Sequence, residues 1–124
     1  MSHILEINHD NFDDFIDSKK PTVVYFWAKW CNPCKPFRET LEKLATQHPD
    51  IQFGSVNSEI EKELSKDFCV ISVPTTIIFR EKIAVFMESG SLPLSALNDL
   101  VEQTKKLNMQ EVRAQVDQQT LGEK

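Results

Sequence analysis

Two cysteines, Cys31 and Cys34, are separated by two residues in Phe26-Trp27-Ala28-Lys29-Trp30-Cys31-Asn32-Pro33-Cys34-Lys35. That spacing admits two chemistries, a dithiol that cycles to a disulfide or half of a zinc site. On a strand-to-helix turn the pair lies about one helical turn apart, close enough to bridge with little backbone movement. The thiolate is the nucleophile: with an ordinary pKa near ~8.5 it is scarce at neutral pH, whereas ~7 at a helix N-terminus makes about half of it available. Cys31, at the mouth of the turn beside the positive end of the helix dipole, is the expected nucleophile. It would attack a disulfide sulfur to give a mixed disulfide, which Cys34, expected to be the less exposed of the two, then resolves. Zinc would need two further ligands, and Cys69, His3, His9 and His48 show no paired ligand spacing.

The flanking pattern supplies what must hold such a pair. Thr22 to Trp27 is a nearly continuous apolar run, the mark of a strand covered on both faces. After the motif, Phe37, Leu41, Leu44 and Ala45 recur at helical spacing up to a stop at His48-Pro49-Asp50. Upstream, residues 3–7 read as a strand and Asn8 as the N-cap of a helix carrying Phe12, Phe15 and Ile16. Downstream come a strand at 51–56 and a capping box, Ser58-Glu59-Ile60-Glu61, opening a helix with Ile60 and Leu64. Strands at 75–79 and 83–86 flank a turn at Arg80-Glu81-Lys82, which lacks the Gly or Asn that tight hairpins favour. Pro93 suits an early helical position before Leu94, Leu97, Leu100 and Val101. Alternation followed by a hairpin predicts an α/β fold with a central mixed sheet and helices on both faces.

Composition narrows the classes. A chain of 124 residues, 40% hydrophobic and 27% charged, is long enough for one real core. A net charge of -5 without a Lys/Arg run argues against nucleic acid as partner. No window is apolar enough to span a membrane, and Met-Ser-His-Ile-Leu-Glu lacks a secretory pattern, so a reducing cytoplasm is the expected compartment. Three cysteines, an odd count, argue against a structural disulfide framework. Cys69 is expected to be a buried small apolar residue.

Trp30-Cys31-Asn32-Pro33-Cys34-Lys35, together with Val73-Pro74-Thr75, resembles the thioredoxin family and its signature Trp-Cys-X-Pro-Cys-Lys. The resemblance covers residues 3 to about 107. It implies a thioredoxin fold of about five strands flanked by helices over 1–107. Residues 108–124 lie outside the resemblance; Asn108-Met109-Gln110-Glu111 reads as a further cap, and this extension is expected to form a short extra helix. The resemblance further implies a monomeric thiol–disulfide oxidoreductase that reduces protein disulfides and is recharged by a thioredoxin reductase. No cofactor would be bound; the reversible Cys31–Cys34 disulfide is the redox group. By the same resemblance Pro74 is cis and faces the cysteines, and the backbone of Val73 pairs with extended substrate. Trp30 and Gly90 would lie at the docking surface, with Asn32, Pro33 and Lys35 in support.

Departures from the family pattern surround the motif. Tyr25 stands where a buried aspartate is usual, and Ser55 where its lysine partner is usual. Tyrosine, with an ordinary pKa near ~10, is a poor base at neutral pH. Lys29 reads as a solvated surface residue, and Trp27 as packing beneath the motif. Asn32 replaces the usual glycine, and about 30 mV of potential corresponds to only ~1.4 kcal/mol, so the spacer is a tuning position. Pro36 lacks an N–H and is expected to loosen or kink the start of the helix. The rival functions are a disulfide isomerase or oxidase, and a binding module in which redox activity is secondary.

Overall fold

The structure, a computed structural model, describes residues 3–122, with side chains through residue 116. Five strands form one sheet in the order β1-β3-β2-β4-β5: β1 (Ile4–Glu6), β2 (Thr22–Trp27), β3 (Gln52–Asn57), β4 (Thr75–Arg80) and β5 (Ile83–Ser89). β1, β3 and β2 run parallel; β4 is antiparallel to β2, and β5 to β4. The helices are α1 (Phe12–Ile16), α2 (Cys34–Gln47), α3 (Lys62–Asp67), α4 (Leu94–Lys105) and α5 (Met109–Gly122). This is the expected mixed sheet, and its middle strand is the apolar run that feeds the cysteine motif. Among the described residues no helix is long and apolar enough to cross a membrane.

The period-two alternation of β2 divides the core. Val23 and Tyr25 join Phe37, Leu41, Leu44, Leu97 and Val101 under α2 and α4. Val24 and Phe26 join Phe12, Phe15, Ile16 and Leu64 under α1 and α3. Both faces of β2 are therefore buried, which explains a strand without polar alternation.

Several boundaries differ from the sequence reading, each for a local reason. Asn8 does not cap α1. Its side chain accepts from the N–H groups of Asp10 and Asn11, closing a turn before the helix begins at Phe12. Ser58 does not open α3 either: its hydroxyl donates to Trp27 O at 3.0 Å, and the helix starts only at Lys62. Ile60 is accordingly exposed while Leu64 is buried. Pro93 is the extended residue before α4 rather than its first helical one. β5 runs to Ser89, past the predicted Phe86, because Glu88 and Ser89 continue the ladder opposite Thr76 and Thr75, and the Thr75 and Ser89 hydroxyls lie 3.4 Å apart. The Glu81-Lys82 turn holds both residues at positive φ, 52° and 70°, without Gly or Asn. Their N–H groups donate to Ser18 O and Ile16 O, so the end of α1 fixes the turn.

Asn108 caps α5 as its sequence pattern suggests, accepting from the N–H groups of Gln110 and Glu111. Met109 is buried and Arg113 pairs with Glu81 at 2.8 Å, so the extension docks at its first turns. Residues 1–2 and 123–124 of the two expected ranges lie outside the described residues.

Candidate active site

β2 ends at Trp27 and α2 begins at Cys34, so the cysteines occupy the turn between them. The N–H of Cys31 donates to Ala28 O at 3.1 Å, closing the turn. Cys34 is the first residue of α2, preceded by Pro33 at φ -68°, already helical. The first full helical bond is Phe37 N–H to Pro33 O, 3.2 Å. Pro36 is the third residue of α2, where an N–H has no required helical partner. The helix runs without a break from Cys34 to Gln47, so the expected loosening is absent.

Cys31 and Cys34 are joined by a disulfide, with Cα atoms 5.4 Å apart. Their exposures are 3% and 4%. The expected contrast between an open Cys31 and a sheltered Cys34 is not found, because the closed bond packs both against Ala28, Trp27 and Val73. Asn32, Pro33 and Lys35 are exposed around the pair. Trp30 stands beside it, 68% exposed.

The Val73–Pro74 bond is cis, and Val73 packs against the disulfide cluster. Gly90, at φ 94°, donates its N–H to Pro74 O at 2.8 Å, tying the end of β5 to the start of β4. A side chain at that φ would be strained. Among the described residues, the Val73 backbone enters none of the turn, loop or cap hydrogen bonds. Trp30, Val73, Ile71 and Ser72 line a shallow cavity of about 150 Å³ beside the motif. Sequence reasoning missed Ile71, which is 94% exposed. Its signal was an apolar residue, two before Val73, that belongs to no helix or strand.

Behind the disulfide lies a second cavity, of about 410 Å³, lined by Tyr25, Trp27, Lys29, Cys34, Lys35 and Arg38 among others. Tyr25 is buried, and its hydroxyl accepts from Arg38 Nη1 at 3.0 Å. Burial pushes the Tyr25 phenol above its ordinary value, and the Arg38 hydrogen bond and charge pull it down less than burial raises it. The phenol therefore stays neutral at physiological pH. Sequence reasoning missed Arg38 as a site residue. Ser55, the register partner of Tyr25 on β3, is buried and uncharged.

Cys69 is exposed and at φ 56°, not buried as expected. It ends the turn after α3, where the chain reverses and its side chain meets no core. Among the described residues, no three His, Cys, Asp or Glu side chains gather as a metal site.

The sequence model of the family described as Thioredoxin matches residues 3–103. The chain belongs to the thioredoxin family. It is 42% identical over 119 residues to a putative thioredoxin 2 of Streptomyces coelicolor, covering 96% of this chain and 89% of the relative. It is also 34% identical to a bifunctional thioredoxin reductase/thioredoxin of Mycobacterium leprae, covering 78% of this chain but 22% of that longer protein. A solved thioredoxin mutant from Halobacterium salinarum superposes with a TM-score of 0.79 at 26% identity, covering 87% of this chain and 97% of that one. The protein is a thiol–disulfide oxidoreductase with Cys31–Cys34 as its redox group, and the members of the thioredoxin family are disulfide reductases.

Proposed function

We propose that this chain carries electrons from a thioredoxin reductase to protein disulfides, docking them on Trp30, Val73, Pro74 and Gly90. In the reduced protein Cys31 attacks the substrate disulfide, and one substrate sulfur leaves as a thiolate. Cys34 then attacks Cys31 Sγ, closing the intramolecular disulfide and releasing the second substrate sulfur. The observation that carries this reading is the placement of Cys31–Cys34 at the end of the central strand, against Val73–Pro74 and beside an exposed Trp30. Unengaged backbone at Val73 suits an extended substrate segment of almost any sequence, since main-chain pairing ignores side chains. Asn32, Pro33 and Lys35 shape the rim. A thioredoxin of Mycobacterium leprae fused to its reductase supports the choice of electron donor. The proposal includes a monomer acting in the cytoplasm, with 1–107 as the working domain and 108–124 as an extension. An exposed third cysteine supports a reducing compartment.

The test is reduction of a protein disulfide by NADPH, a bacterial thioredoxin reductase and this protein. Turnover with a potential near ~-270 mV is expected. Cys31→Ser should abolish it, and Cys34→Ser should accumulate mixed disulfide. A potential near ~-120 mV, or no turnover by the reductase, would refute the reductant role.

A further inference from the structure

The cavity behind the disulfide contains a hydrogen-bonded pair, buried Tyr25 and half-buried Arg38, that the exchange steps above leave unused. Arg38 lies one helical turn beyond Cys34 on α2, a spacing that puts both side chains on one face. Its guanidinium reaches across to the Tyr25 hydroxyl on β2, 3.0 Å away, and Tyr25, Arg38 and Cys34 all line the same cavity. Because the arginine donates, the phenol oxygen serves as acceptor there, and the hydroxyl's own proton remains for another partner. Edge-on packing with Phe37, at 6.2 Å between ring centroids, fixes the Tyr25 ring.

We propose that the Tyr25 hydroxyl, oriented by Arg38, donates to Cys34 Sγ once the disulfide opens and holds that sulfur as the thiolate needed to resolve the mixed disulfide. This deepens the proposed reductase cycle and rests on it for the direction of electron flow. The Cys34 thiol gives its proton to water in the cavity. The thiolate then forms the Cys34–Cys31 bond as the Cys31–substrate bond breaks, and the leaving sulfur takes the electron pair and a proton from solvent. The dithiol is oxidised by two electrons and the substrate disulfide is reduced by two. Tyr25 is the donor to the reacting sulfur; Arg38 is a positioning residue.

The surroundings favour a negative sulfur here. Lys29, from the turn after β2, and Lys35, on α2, add positive charge to the same cavity, while Glu42 on α2 acts against them at Tyr25 and Glu59 accepts from the Lys29 N–H at 3.0 Å. β3 contributes only uncharged Ser55, and the Val73–Pro74 side brings no titratable group. Trp27, on the cavity wall, has a buried Nε1–H with no acceptor among the described residues, the kind of group that ordered water satisfies.

The experiment follows alkylation of Cys34 by iodoacetamide against pH, by mass spectrometry, in a Cys31→Ser/Cys69→Ser background where Cys34 is the remaining thiol. Adding Tyr25→Phe should move the midpoint up by about one pH unit, a roughly tenfold loss of thiolate below it. Arg38→Met should move it the same way by less, and Arg38→Lys should recover part of the shift. A midpoint unmoved or lowered in Tyr25→Phe would overturn the proposal. Tyr25→Phe keeps the ring that packs on Phe37, and Arg38→Met leaves β2 untouched, so one variant decides if the other fails to fold. The titration uses neither substrate nor reductase. Its failure would leave the reductase assay standing, and failure of that assay would leave the titration readable.

Discussion

Gly54→Ala tests how tightly α1 is held on the sheet. Gly54 sits in β3 between its partners Leu5 and Val24. A Cβ there would lie 2.6 Å from Phe15 Cε2, 2.7 Å from Ile7 Cγ1 and 3.1 Å from Phe15 Cζ. Both neighbours are buried, and Phe15 O also accepts from Gln52 Nε2 at 3.0 Å, so neither can swing into solvent. Overpacking of this kind costs about 1–3 kcal/mol. Alanine recovers about 0.4–1 kcal/mol by restricting the unfolded chain. At mid-range values a net loss of about 1.3 kcal/mol follows, which at this chain length is a fall in Tm of roughly 5 °C. Urea unfolding of the oxidised protein measures it, with disulfide reduction retained because Gly54 lies outside the cysteine turn. Phe15→Leu removes the clashing ring atoms, so the double variant should be more stable than the sum of the single losses by at least ~0.5 kcal/mol. A Gly54→Ala protein as stable as the parent, or a strictly additive double variant, would refute the packing argument.

Arg80 reaches from β4 to Lys19 O before β2, at 2.8 Å, and to Thr104 O at 3.1 Å and Leu107 O at 2.9 Å, satisfying carbonyls at the end of α4. Arg80→Met should cost about 1–3 kcal/mol in urea unfolding with disulfide reduction intact, and Arg80→Lys, lacking the fork, should restore only part. The Lys105 hydrogen bond holds the Asp50 carboxyl below its ordinary value of 3.8. A carboxyl lowered in the folded state adds stability that is present above the unfolded value and lost as pH falls through the folded one. Asp50→Asn should therefore flatten the acid limb of stability below about pH 4, and an unchanged limb would count against the Lys105 contact.

The fold was legible wherever burial follows a period. The all-apolar β2, the α2 stripe and the α4 stripe each landed on the sheet or face expected of them. It was illegible where a polar side chain chose between two backbone partners: Asn8 and Ser58 both carry capping chemistry, but each spends it closing a loop. The cysteine pair was readable because its spacing is local, whereas Val73–Pro74 was readable only through the family resemblance. Arg38 was not, since its partner Tyr25 comes from β2 and a helix pattern places an arginine between two apolar positions simply in water. Cys69 misled for a related reason: composition makes a free cysteine a core residue, while a positive-φ position after α3 turns it outward.

The ring closed by Cys31 and Cys34 spans only four residues at the start of α2. In the chain-entropy account, a loop of four residues restricts the unfolded ensemble by only ~2 kcal/mol, against ~4.7 kcal/mol for a loop of a hundred. Opening the bond therefore costs less than half of what losing a long-range cross-link would. The fold itself rests on the two cores on either side of β2, and neither contains a cysteine. A cross-link this short ties redox state to stability by only ~2 kcal/mol, so its one disulfide can be spent and restored on every turnover while the scaffold around it stands.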